Sequence, residues 1–119
     1  MKKQTRSQRM AQAAFTVANG KDYKGFAREF PTLVHSCGLA QAFVFAKAKK
    51  QTTYREGLTQ VLRAAGCTGA ETDSALEREI CEKLTVPQYL RLSRDALAAA
   101  VWIKRFCEAD KKEDQPHAE

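Results

Sequence analysis

PTLVHSCGLAQAFVFAKAKK, residues Pro31 to Lys50, is the stretch from which the rest of the chain is read. Proline disfavours helical geometry in the residue before it, so a bend or restart is expected at Phe30–Pro31. A short segment runs to Cys37, and Gly38-Leu39 breaks it. The next helix carries Leu39, Phe43, Val44 and Phe45 and runs straight into Lys47, Lys49 and Lys50. Leu33, Val34 and Phe43 suit a core, while the lysines project at its edge. A buried anchor joined to a charged surface fits a chain that presents cations to a polyanion better than one that closes around a small substrate.

Working outward, the remaining segments all carry helical periodicity, and none has the period of a strand. A first helix is expected from about Thr5 to Asn19-Gly20, with Met10, Ala14 and Val17 inward and Lys2, Arg6 and Arg9 on one side. A second spans about Asp22 to Phe30, bearing Tyr23, Phe26 and Phe30. Tyr54, Leu58, Val61, Leu62 and Ala65 make a further apolar stripe that Gly66 ends. After a loop to Asp73, Ser74 with Glu77 offers a capping box for a helix that buries Leu76, Ile80 and Leu84. Thr85 with Gln88 repeats the signature ahead of the clearest helix, with Tyr89, Leu92, Ala96, Ala99, Ile103 and Phe106 at spacings of three and four. The expected architecture is all-α, a compact single-domain bundle of about six helices over residues 1–109. Residues 110–119 are expected to form a polar, disordered tail.

The chain has 119 residues and a net charge of +6. Residues 1–63 carry twelve Lys/Arg against Asp22, Glu29 and Glu56, a net of +9, whereas residues 64–119 carry eight against eleven acids, a net of −3. Such a split suits nucleic acid on one face and a protein on the other, and also suits ordinary surface charge that happens to segregate. Cys37, Cys67, Cys81 and Cys107 include no Cys-x-x-Cys pair, and His35 and His117 lie at no ligand spacing, so no metal or other cofactor is expected. No apolar h-region follows the basic N-terminus, and the reading is a reduced, cytoplasmic chain. The longest apolar run, Ala96 to Ile103, is eight residues, against roughly 20 for a membrane span.

No reaction centre emerges. His35, Ser36 and Cys37 are consecutive and would point apart on a helix, and Glu77, Glu79 and Glu82 read as a solvated acidic face. Lys47, Lys49 and Lys50 complement a helix C-terminal dipole, and they also suit phosphate contacts together with Arg6 and Arg9. With no exposed aromatics interleaved, contacts to phosphate and ribose are expected rather than base readout. Trp102 lies off the Leu92–Ala96–Ala99–Ile103 seam, either at the core's edge or, with Arg105, in a contact between subunits.

These blocks together resemble the small helical subunit of the Cmr complex, the type III-B CRISPR RNA-targeting effector. The resemblance covers about residues 8 to 109. It rests on the alanine-rich helix Gln8 to Ala18, Tyr23, and the block Pro31, Leu33, Val34, Gly38, Leu39, Gln41, Phe43, Phe45, Lys47. It continues in Tyr89 and in the closing helix with Ala96, Leu97, Trp102, Lys104 and Arg105. Ser36-Cys37 stands where that family often has a polar Asn before Gly-Leu, a departure that touches only a turn. The resemblance implies a non-catalytic subunit. Copies would stack in a filament beside backbone and large subunits, with basic faces lining the channel where guide and target RNA pair. The type III-A counterpart, a small basic DNA-binding helical protein and a small nuclease are the competing readings. The first also belongs to an effector complex, the second predicts duplex binding without partners, and the third predicts metal-dependent turnover.

Overall fold

The computed structural model describes residues 4–19 and 22–114, with side chains through residue 109. It is an all-α single domain. Five α-helices follow in order: α1 (Arg6–Ala18), α2 (Lys24–Ala48), α3 (Thr52–Ala64), α4 (Asp73–Arg78) and α5 (Val86–Asp114), with a π-helical turn over Glu79–Lys83 after α4. Lys2, Lys3, Gly20 and His117 lie outside the described residues. Helix α5 continues through Asp114, five residues into the segment expected to be tail, and residues 115–119 are outside the description.

Local chemistry explains most of the boundaries. Thr5 caps α1 through a capping box, its hydroxyl accepting from the Gln8 amide while the Gln8 side chain accepts from the Thr5 amide. Asn19 closes α1 in an extended conformation rather than at positive φ. The Thr85–Gln88 box at the start of α5 forms as expected, with reciprocal bonds of 2.9 and 3.4 Å. At α4 the cap is Thr72, whose hydroxyl accepts from the Ala75 amide, and not Ser74; Asp73 is already the first helical residue.

The break expected at Pro31 does not occur. Helix α2 runs through it, and Gly38 (φ 87°, ψ 162°) is its one residue with non-helical geometry. A proline inside a helix removes a donor and crowds the preceding turn, at a cost of about 3 kcal/mol in isolation. Here Phe30, Pro31 and Val34 are all buried, and that packing offsets the cost. At Gly38 the turn is bridged from another helix: the Ala40 amide donates to the Tyr89 hydroxyl of α5 at 3.0 Å.

The core forms where α5 lies along both α1 and α2 while α3 closes against α1. Alanines line these seams (Ala14, Ala27, Ala42, Ala46, Ala96, Ala99 and Ala100 are fully buried), and small side chains let backbones approach. Larger side chains fill the centre: Phe30, Leu39, Phe43, Leu58, Leu62, Leu76 and Ile103. Leu84 and Leu33 are only half-buried at the rim. Tyr54 is the hub of an aromatic cluster, with Tyr23, Phe26 and Phe30 centroids 5.3, 5.3 and 5.1 Å away. The Tyr23 hydroxyl donates to the Val17 carbonyl and ties α1 to the start of α2. Burial raises the Tyr54 and Tyr23 hydroxyls well above the ordinary tyrosine range.

Candidate nucleic-acid interface

The segment after α2 is short, polar and cationic, and its backbone sets where the cations point. Two bonds close the helix: the Lys50 amide donates to the Lys47 carbonyl and the Gln51 amide to the Ala46 carbonyl, both at 2.9 Å. This is a Schellman cap, which needs a left-handed residue at the position after the cap, normally glycine. Lys50 takes it with φ 60°, the one described non-glycine residue at positive φ. Lys47, Lys49 and Lys50 are all exposed around that turn. The Lys49 Nζ stands 5.5 Å from the centroid of the Phe45 ring.

Arg6 and Arg9 are placed elsewhere. The Arg9 guanidinium donates to the Ala65 carbonyl at 3.2 Å and to the Gln4 carbonyl at 3.0 Å. It therefore sits at the C-terminal end of α3, whereas Lys49 and Lys50 precede its N-terminal end. Thirteen helical residues separate the two groups by about 20 Å. Arg6 is exposed and pairs with Asp95 at 3.7 Å. The five sequence-predicted cations thus form two groups at opposite ends of α3, and only the lysine group is free of carboxylate and carbonyl partners in the described contacts.

Three cations of the basic half pair with acids of the other half within the fold. Arg6–Asp95, Arg55–Asp73, Arg55–Glu77 and Arg63–Glu71 each join a cation of residues 1–63 to an acid of residues 64–119. Arg55 is the extreme case, at 1 % exposure. Its Nε lies 2.9 Å from Asp73 and its Nη1 2.8 Å from Glu77. It also donates to the carbonyls of Phe43 and Asp73, with the guanidinium 4.2 Å over the Phe43 ring. Glu77 is accordingly half-buried and bound to the bundle, not part of a solvated face, and Glu79 accepts from the Thr68 hydroxyl at 2.5 Å; Glu82 alone of the three is exposed. A signal for this was available: Asp73 and Glu77 stand at i, i+4 on one side of α4, and Arg55 with Thr59 stands at i, i+4 beside the α3 stripe.

Phe45 is the second residue that sequence reasoning misplaced. It is 39 % exposed and Val44 is 42 % exposed, so an aromatic ring does stand beside the lysines. Leu33, Ala40, Val44, Phe45 and Ala48 line an open apolar groove of about 480 Å³ along the outer side of α2, with Cys81 of the π-helical turn at its wall.

A separate apolar groove of about 540 Å³ follows α5. Leu97, Ala98, Val101 and Trp102 form its floor between Arg94 and Arg105. Trp102 is half-buried and stacks on Phe106 (5.8 Å, 19°), whose edge meets exposed Phe15. Trp102 and Arg105 therefore share one surface.

Nothing in the geometry assembles a reaction centre from the candidates. His35 and Ser36 are exposed, while the Cys37 thiol turns back to the Leu33 carbonyl at 3.2 Å. Among the described residues no cluster of three His, Cys, Asp or Glu could hold a metal ion, and no helix is long and apolar enough to cross a membrane. None of the four cysteines is in a disulfide. Burial, with Asp95 beside it, pushes the Cys67 thiol up to about 11. Cys81 is exposed; partial desolvation and then Glu77 and Glu82 raise its pKa.

The family description "CRISPR-associated protein (Cas_Cmr5)" matches residues 2–110. A Thermus thermophilus protein named CRISPR system Cmr subunit Cmr5 is 35 % identical over 115 residues, covering 88 % of this chain and 95 % of the relative. The crystal structure of a CRISPR-associated Cmr5 family protein from the same organism superposes with a TM-score of 0.75 at 36 % identity, over 89 % of this chain and 97 % of the other.

Proposed function

The chain belongs to the CRISPR-associated Cmr5 family, and from that premise we propose that it is a non-catalytic small subunit of a cytoplasmic type III-B Cmr effector complex. In this reading copies stack in a filament beside backbone and large subunits, and each copy contacts the backbone of the guide–target RNA duplex. The family match over nearly the whole chain favours this over the type III-A counterpart and over an independent DNA-binding protein or nuclease.

The observation that carries the RNA contact is the Lys47–Lys49–Lys50 cap. Three exposed cations surround one turn, and one of them holds a backbone conformation that glycine adopts more easily. Lysines placed this way attract phosphate without reading sequence, which suits a subunit that must accept any guide. Arg6 and Arg9, at the other end of α3, contribute a second and weaker positive region. The groove with Trp102 and Arg105 is the contact for a neighbouring subunit, an aromatic and arginine pairing favoured in interfaces.

The test is recovery of the tagged protein from its native cells, with sequencing of any RNA that accompanies it. The expected result is co-recovery of backbone subunits and of guide RNAs with uniform repeat-derived 5′ ends. Recovery of the protein alone, or with bulk DNA, overturns the proposal.

A further inference from the structure

Lys49 of the lysine cap meets the Phe45 ring that lines the apolar groove of α2, and we infer that this junction is a single-stranded RNA site in which an unpaired base stacks on Phe45. The inference rests on the reading of Lys47, Lys49 and Lys50 as phosphate contacts, and it goes beyond that reading by assigning a base-binding surface.

Three observations carry it. Phe45 and Val44 are large apolar side chains left 39 % and 42 % exposed at the last turns of a helix whose other side is fully buried. The groove beside them is open to solvent, so a flat ring can approach it from outside the bundle. The Lys49 ammonium sits 5.5 Å from the Phe45 centroid. A phosphate that draws the Lys49 ammonium off the face of the Phe45 ring brings its own nucleobase within reach of that ring and of the Val44 and Leu33 surface.

Charge decides the occupant. Lys49 adjoins the groove through the Phe45 ring, and residues 30–55 include no Asp or Glu; the acids recorded at the groove's wall are Glu77 and Glu82, which face Cys81. A polyanion with flat apolar faces complements both parts of this surface. Single-stranded nucleic acid binds in this mode, with cations tracking the backbone and aromatic rings stacking on bases of any identity. In a base-paired duplex the bases are stacked on one another, so the groove is useful only for a nucleotide out of the stack. The site is sequence-tolerant, as a subunit serving many guides requires.

The experiment measures binding of the purified full chain to a single-stranded oligouridylate that carries one 2-aminopurine, against a blunt RNA duplex of equal length, over a range of salt. The expected result is quenching of the 2-aminopurine on binding. Phe45→Ala weakens single-strand affinity about tenfold and abolishes the quenching, and Phe45→Tyr retains both. Phe45→Ala leaves the salt dependence and the duplex affinity unchanged. Replacing Lys47, Lys49 and Lys50 together by Ala lowers the slope of log affinity against log salt by about 2 for the single strand. Circular dichroism melts of each variant separate loss of fold from loss of contact.

If Phe45→Ala binds single strands as tightly as the parent while the lysine variant still loses its salt slope, the stacking site is overturned and the phosphate reading stands. If neither RNA is bound at low salt, both fail together. If Phe45→Ala keeps its RNA affinity but no longer recovers partner subunits from cells, the groove is a protein interface and the inference is wrong.

Discussion

The C-terminus of α2 and the C-terminus of α3 are closed by the same pair of backbone bonds, yet opposite residues hold the critical position. After α3, the Gly66 amide meets the Arg63 carbonyl at 3.0 Å and the Cys67 amide meets the Leu62 carbonyl at 2.8 Å. Gly66 has φ 78°, where glycine carries no steric penalty. After α2, Lys50 occupies the equivalent site at φ 60°. The cations differ too. At Gly66 an arginine from another helix, Arg9, turns inward onto the Ala65 carbonyl. At Lys50 the turn's own lysines face solvent. One end of α3 uses a cation to hold the fold together, and the other keeps its cations available.

The same contrast runs along α3 itself, and its inner member gives the largest expected effect. Arg55 joins α3 to α2 and α4, with two carboxylates within 2.9 Å and two carbonyls accepting its protons. Arg55→Ala leaves Asp73 and Glu77 at the edge of the core without their cation, a loss of about 3–5 kcal/mol in chemical unfolding. Arg55→Met, which restores volume without charge, should recover little of it, because the carboxylates remain unpaired. A loss below about 1 kcal/mol would move Arg55 into the class of surface pairs.

At the C-terminal end of α3, Gly66→Ala must place a Cβ at positive φ. Its only near neighbour is the flexible Arg9 Nη2 at 3.8 Å, so the cost is backbone strain alone, about 1 kcal/mol. Arg9→Ala should cost a similar amount, about 1 kcal/mol, since its two bonds are charge-assisted but half-exposed. The double variant should lose less than the sum, because Arg9 donates to the carbonyl of the very turn that Gly66 shapes. Thermal melts of the two single variants and the double measure this coupling, and strict additivity would separate the two features.

How far these features can be read from the sequence follows from how local their physics is. The Thr85–Gln88 box, the Gly38 break and the Gly66 stop each depend on a few consecutive residues, and each is legible. Pro31 and Arg55 depend on distant partners. Local preference breaks the helix at Pro31, and burial of Phe30, Pro31 and Val34 overrides it. Charge counting leaves Arg55 undistinguished among the twelve cations of residues 1–63, and Asp73 and Glu77, eighteen and twenty-two positions later in the numbering, hold it in the core. Among the site residues, Lys47, Lys49 and Lys50 are exposed as their helix-end position implies. Arg9 is not free, because the carbonyl it meets is fifty-six residues away. Phe45 stands exposed because the α2 face that carries it has no helix packed over it, which periodicity alone does not reveal.

The smallest stability effect discriminates best between the two caps. Lys50→Gly places the residue that a Schellman turn favours at a position already at φ 60°, so it should stabilise the fold, by about 0.5–1 kcal/mol. A purely structural cap would gain from the change and lose nothing. A cap that holds phosphate would gain stability and lose one of three clustered cations, so RNA affinity should fall and its salt slope flatten by about 0.7. Lys50→Asn is the companion variant, since Asn also tolerates positive φ and likewise removes the charge. Both variants should bind RNA equally weakly while differing in stability. If both bind as tightly as the parent, the cation at this turn is surplus, and the strain at Lys50 has no counterpart in binding.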